Sequence, residues 1–158
     1  NFSVKVLPSL HSALRKKLYF SSELIPKDIE VPLKIKEYVE GNSLMYYFRF
    51  KDHKVLTMGS MNFIGEAIEG LEPNILLAGS ANSRKEIYNY TERLLSLTNF
   101  PEIIIPTHWD DFRVTYEASQ EKAIESKAAP FIEDVKRILP SAKVILPKHL
   151  APMVFESK

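Results

Sequence analysis

Four histidines, His11, His53, His108 and His149, are the whole supply of imidazole, and the chain has no cysteine, so any metal must be held by these rings and by carboxylates. Three of the four stand just past an apolar, strand-like run, where sheets of the α/β kind open into loops and place their chemistry. His108 has the richest surroundings. The run Ile103-Ile104-Ile105-Pro106-Thr107-His108-Trp109-Asp110-Asp111-Phe112 sends a buried strand straight into an imidazole, an indole and two carboxylates. A metal ligand needs a rigidly placed imidazole with a carboxylate to hold its tautomer, and Asp110 is the candidate catalytic carboxylate. In the competing reading, Asp110 or Asp111 caps a following turn and His108 only hydrogen-bonds.

His11 repeats the pattern in shorter form, in Pro8-Ser9-Leu10-His11-Ser12. His149 follows the last strand and reads as structural, or as approaching the same face beside Trp109. His53 lies in the polar turn Lys51-Asp52-His53-Lys54 and reads as a surface residue. Gly59-Ser60-Met61-Asn62-Phe63 is a tight strand-to-helix turn in which Ser60 or Asn62 can serve as a helix cap.

Other chemistries find no support. Without cysteine there is no thiolate catalysis, disulfide, iron–sulfur cluster or sulfur-held zinc. No Gly-rich phosphate loop and no Gly-x-Ser-x-Gly elbow occurs. The formal net charge is +1, and the cations are scattered among acids except for Arg15-Lys16-Lys17, so no nucleic-acid partner is expected. No apolar run approaches the roughly 18–20 residues of a membrane span. No signal peptide opens the chain, which slightly favours the cytoplasm and otherwise leaves the compartment open.

These groups must be positioned by the elements around them. The 158 residues, 45 % hydrophobic and 26 % charged, are about one domain's worth of globular chain. Strand patterns cover residues 2–7, 33–40, 44–50 and 55–58, and the last three read as an antiparallel meander. Tyr46, Phe48 and Phe50 alternate onto one face of it. The character then changes to a short helix (63–71), a strand (75–78), an amphipathic helix (83–97), a strand (103–105), a helix with Pro130 in its first turn (130–139) and a strand (143–146). Hairpins followed by strand–helix alternation predict an α/β (α+β) fold, a mixed β-sheet with helices layered on one face.

The order of "VLPSLHSAL", "LMYYFRFKDHKVLTMGSMNF", "NILLAGSA", "IIIPTHWDDF" and "SAKVILPKHLAPM" resembles the second half of metallo-β-lactamase-fold hydrolases, closest to their lactonase-like members. The resemblance spans nearly all of residues 1–158 and implies half of an αββα sandwich, completed by an N-terminal half or by a second chain or copy. It implies that His11 and His108 are metal ligands and that Ser60 occupies the position of a metal-bridging aspartate. Asn62, Trp109 and His149 would then border the pocket of a small-molecule substrate. The implied cofactor is zinc, one ion rather than two, with iron or manganese as alternatives, and the implied activity is hydrolysis of a lactone, ester, amide or phosphoester by metal-activated water. Two departures stand out. The family's His-x-His-x-Asp-His motif has no counterpart here, and a neutral serine is a poor zinc ligand compared with a carboxylate. The rival expectation is a non-catalytic binding or structural domain that has lost its metal.

Overall fold

A computed structural model describes residues 1–12, 24, 27–34, 43–115, 117–148 and 151–156. Its elements are β1 (Phe2–Pro8), β2 (Leu44–Phe50), β3 (His53–Met58), α1 (Gly65–Ile68), β4 (Ile75–Gly79), α2 (Tyr90–Leu97), β5 (Ile103–Thr107), α3 (Glu121–Ala123), α4 (Ala129–Ile138) and β6 (Lys143–Val144). The six strands form one mixed sheet in the order β1-β2-β3-β4-β5-β6. The fold is α/β.

Strand direction matters most for function. β2 runs antiparallel to both β1 and β3, whereas β3, β4, β5 and β6 are mutually parallel. Five of the six strands therefore point the same way, and only β2 opposes them. The segments that follow β1, β3, β4, β5 and β6 all emerge at one rim, where a sheet of parallel strands gathers its polar groups.

The two faces of the sheet differ. One face carries Leu7, Met45, Tyr47, Leu56, Met58, Leu76, Ala78 and Ile104 under the helices, which contribute Ile68, Leu94, Leu95, Phe131 and Val135 to the same buried cluster. This single helix layer follows from the three strand–helix–strand crossovers, which share one hand and so return on one side. The other face is also apolar. Along β1 and β2, Phe2, Val4, Val6, Tyr46 and Phe50 remain between 37 % and 75 % exposed, and cross-strand register pairs Phe2 with Phe50, Val4 with Phe48 and Val6 with Tyr46. Further along this face Ile75 and Ile105 are buried. The unbroken apolar runs of β4 and β5 reflect this burial on both faces.

The meander differs from expectation. Both edges of β2 are occupied, by β1 and β3 over nearly its whole length, so β1 is its neighbour. The strand expected at 33–40 lies from residue 35 onward outside the described residues. The helix expected at 83–97 is divided. A 3-10 turn spans Asn82–Glu86, Ile87 is extended (φ −102°, ψ 122°), and α2 restarts after Asn89 in the left-handed region. The break turns Ile87 into the core beside Tyr90, and neither Asn82 nor Ser83 caps the turn through its side chain.

Pro130 sits in the first turn of α4, as expected, but helical backbone starts before that element. Helix begins at Glu121, and a π-helical turn over Ile124–Ala128 leads into α4. A proline inside a helix lacks its N–H and crowds the carbonyl four residues earlier, and a widened turn relieves both problems.

Candidate functional site

The rim at the ends of the parallel strands gathers most of the candidate residues. Beyond β1 the chain folds inward rather than continuing outward. The Ser9 hydroxyl donates to the Asn62 carbonyl (2.9 Å), the Ser12 N–H donates to Ser60 Oγ (3.0 Å), and Leu10 forms a β-bridge with Asn62. Ser9, Ser12, Ser60 and Asn62 are all buried. These contacts carry His11 from the outermost strand to the turn after β3, two strand spacings (roughly 10 Å) from the end of β5. His11 Nδ1 lies 3.1 Å from the Ser12 carbonyl, which can only accept, so Nδ1 carries the proton and Nε2 is the acceptor nitrogen of the neutral ring.

Neither Ser60 nor Asn62 is set up simply as a cap. Ser60 Oγ accepts from Ser12, which pins the His11 segment. Asn62 Oδ1 accepts the N–H of Phe63 (2.9 Å), while α1 itself begins without a side-chain cap.

β5 delivers His108 in a constrained way. His108 is left-handed (φ 55°), a conformation that costs a non-glycine residue about 1–3 kcal/mol and that concentrates at functional sites. The preceding Thr107 carbonyl accepts the Ser80 N–H (2.8 Å) and the Ser80 hydroxyl (2.9 Å), tying the end of β5 to that of β4. The Thr107 hydroxyl is buried and finds no hydrogen-bond partner among the described residues, a polar group left open at the rim. Nothing in the sequence marks Thr107 as different from other strand-end threonines.

His108 lines a cleft of about 530 Å³ with Trp109, Asp110, Phe112, Pro147 and Lys148. The two carboxylates differ. Asp110 is exposed, its backbone carbonyl accepts Lys127 Nζ (2.6 Å), and its carboxylate has no partner among the described residues. Asp111 is occupied, since Oδ1 accepts Arg113 Nε–H (2.8 Å) and the Arg113 backbone N–H (3.1 Å), and Oδ2 accepts Nη2–H (2.9 Å). Of the two, only Asp110 keeps a carboxylate without a partner among the described residues.

These bonds from Arg113 hold the Asp111 carboxyl down at about 2, against an ordinary value of 3.8. Because the folded value is depressed, the contribution to stability is present above pH ~4 and is lost as pH falls through about 2. Arg113→Gln is expected to return the Asp111 titration towards 3.8, read by NMR of the side-chain carboxyl. A titration that stays near 2 in the variant would assign the shift to some other group.

The remaining candidates are not gathered here. His149 lies outside the described residues. His53 opens β3 at the opposite rim, partly buried, with its ring edge-on to Phe50 (5.6 Å between centroids). Among the described residues no three His, Asp or Glu side chains cluster closely enough to hold a metal ion. The described part of the chain therefore does not fit a complete zinc centre, which takes at least three protein ligands. Nor does any described helix have the length and apolarity to cross a membrane.

No known protein family matches the chain, and no curated protein matches it either.

Proposed function

We propose that the chain is the C-terminal half of a metallo-β-lactamase-fold hydrolase and contributes part of a metal-dependent site for a lactone, ester, amide or phosphoester. The supporting observation is the shared rim. His11 and His108 follow co-directional strands, one drawn inward by buried serine and asparagine contacts, the other held left-handed beside a 530 Å³ cleft. In this reading the missing ligands come from an N-terminal half or a second copy, which would also cover the apolar face of β1 and β2. Asp110 is placed to move a proton at the cleft, and Trp109 and Asn62 border the substrate.

A second reading rests on Ser60. It is buried, neutral and already engaged by the Ser12 N–H, as suits a domain that keeps the fold for binding without a metal.

Metal content separates the two. The intact gene product is expected to retain about one zinc, iron or manganese ion per molecule by mass spectrometry, and His11→Ala and His108→Ala to reduce retention or hydrolytic turnover by at least about tenfold. An intact protein that binds none of these metals would leave the non-catalytic reading standing.

A further inference from the structure

At the rim opposite His11 and His108, on the helix-side face of the sheet, three cations converge without a matching set of acids among the described residues. Lys5 and Leu7 alternate along β1 on this face, and cross-strand register places Lys5 opposite Tyr47, Ser3 opposite Arg49, and Arg49 opposite Lys54. Arg49 and Lys54 thus face each other directly, with Cβ atoms roughly 5 Å apart, and Lys5 lies on the diagonal. Like charges in directly opposed positions destabilise a sheet. None of the three forms an ion pair among the described residues.

The cations border a groove of about 380 Å³, within the size range of small-molecule sites. Tyr47 is buried in its floor and donates its hydroxyl to the Leu71 carbonyl, fixing the 70–72 loop as one wall. That wall is open at Gly70 (φ 76°), where an added Cβ would meet nothing within 4 Å. Among the described residues, Glu72 is the single acid in the lining, against three cations. A groove with net positive charge, a rigid floor and one small-residue wall suits a compact anion with several acceptor oxygens, to which Arg offers a planar fork and Lys a mobile point charge.

We propose that this groove binds a phosphate group, either as free phosphate or on a small phosphoester, with Arg49 and Lys54 as its main ligands and Lys5 closing the edge. The site lies at the opposite end of the strands from the His11–His108 rim and on the opposite face from the open apolar surface. It stands whether or not the chain is half of a hydrolase.

The test uses the intact gene product in low-salt buffer, with inorganic phosphate in one arm and adenosine monophosphate in the other. Each is measured by equilibrium dialysis against a chloride control of equal ionic strength. Wild type is expected to retain either ligand above control, and Arg49→Gln with Lys54→Gln to weaken retention at least tenfold. Tighter binding of the nucleotide would identify a phosphoester ligand, and equal binding would identify free phosphate. In phosphate-free buffer the double variant is expected to melt at or above wild type, because the opposed charges are gone. Should that variant fold poorly, Lys5→Gln on the edge strand supplies the same comparison. Equal retention by wild type and a folded variant, or none by either, overturns the proposal.

Discussion

Phe131→Ala is expected to destabilise the protein by about 3–5 kcal/mol, the cost of deleting a fully buried aromatic ring and leaving a cavity behind. Phe131 is 0 % exposed on α4, and it joins the helices to the candidate rim. Its ring packs against Tyr90 (6.4 Å between centroids) and lies under the Arg84 guanidinium (5.7 Å). Tyr90 donates its hydroxyl to the Gly79 carbonyl (2.8 Å) at the end of β4 and packs on Phe63 (6.0 Å) just after the Asn62 turn. Arg84 is buried, donates to the Ser80 carbonyl (3.3 Å) and lies 3.6 Å from Asp134. Removing the ring would therefore open a cavity and uncover a buried charge held by one long hydrogen bond and one long ion pair. Urea unfolding of the intact gene product should show a lower midpoint at unchanged slope. Phe131→Leu, which keeps most of the volume, should cost much less. Phe112→Ala, at a side chain 88 % exposed in the cleft, should stay within about 0.5 kcal/mol. A Phe131→Ala midpoint close to wild type would show that α4 does not anchor the sheet.

The sheet and its helix layer were largely legible in the sequence because they are set by local periodicity. β2 alternates so regularly that Met45 and Tyr47 could only face away from Tyr46, Phe48 and Phe50. The apolar runs of β4 and β5, bounded by Pro73 and Pro106, had to be buried on both faces. Pairing was less legible, since nothing local records that β1 rather than a later segment lies beside β2. That choice is made by contacts more than 35 residues apart, such as Val6 with Tyr46. The break at Ile87 and the π-helical turn before Pro130 were hidden for a different reason. Both keep an apolar spacing close to that of a regular helix, while tertiary packing decides where the backbone departs from it. At the site, residue types pointed to His108 and to the Gly59–Asn62 turn. They could not show that Ser12, with no chemistry of its own, fixes His11 through its N–H, nor that Arg113 occupies Asp111 and leaves Asp110 available.

Gly59→Ala is expected to cost about 1–3 kcal/mol and to loosen the His11 segment specifically. Gly59 follows Met58 at the end of β3, directly across from the start of β2, and a Cβ there would fall inside the contact distance of the Leu44 carbonyl oxygen. That atom belongs to backbone paired with Pro8, so it cannot swing aside as a side chain could. The strands would have to part at the rim, moving Ser60 and Asn62 and with them the acceptors of the Ser12 N–H and the Ser9 hydroxyl. Gly79→Ala offers a contrast at the same rim. Its Cβ would meet the thioether end of Met61, which can rotate away, so a smaller loss is expected. Amide exchange at Ser12 is the discriminating measurement. It should speed up about tenfold for every 1.4 kcal/mol lost from local opening in Gly59→Ala, and much less in Gly79→Ala. If the intact protein holds a metal, Gly59→Ala should also weaken its retention, because His11 reaches the rim only through this turn. Wild-type exchange at Ser12 in a stable Gly59→Ala protein would show that the turn does not position His11.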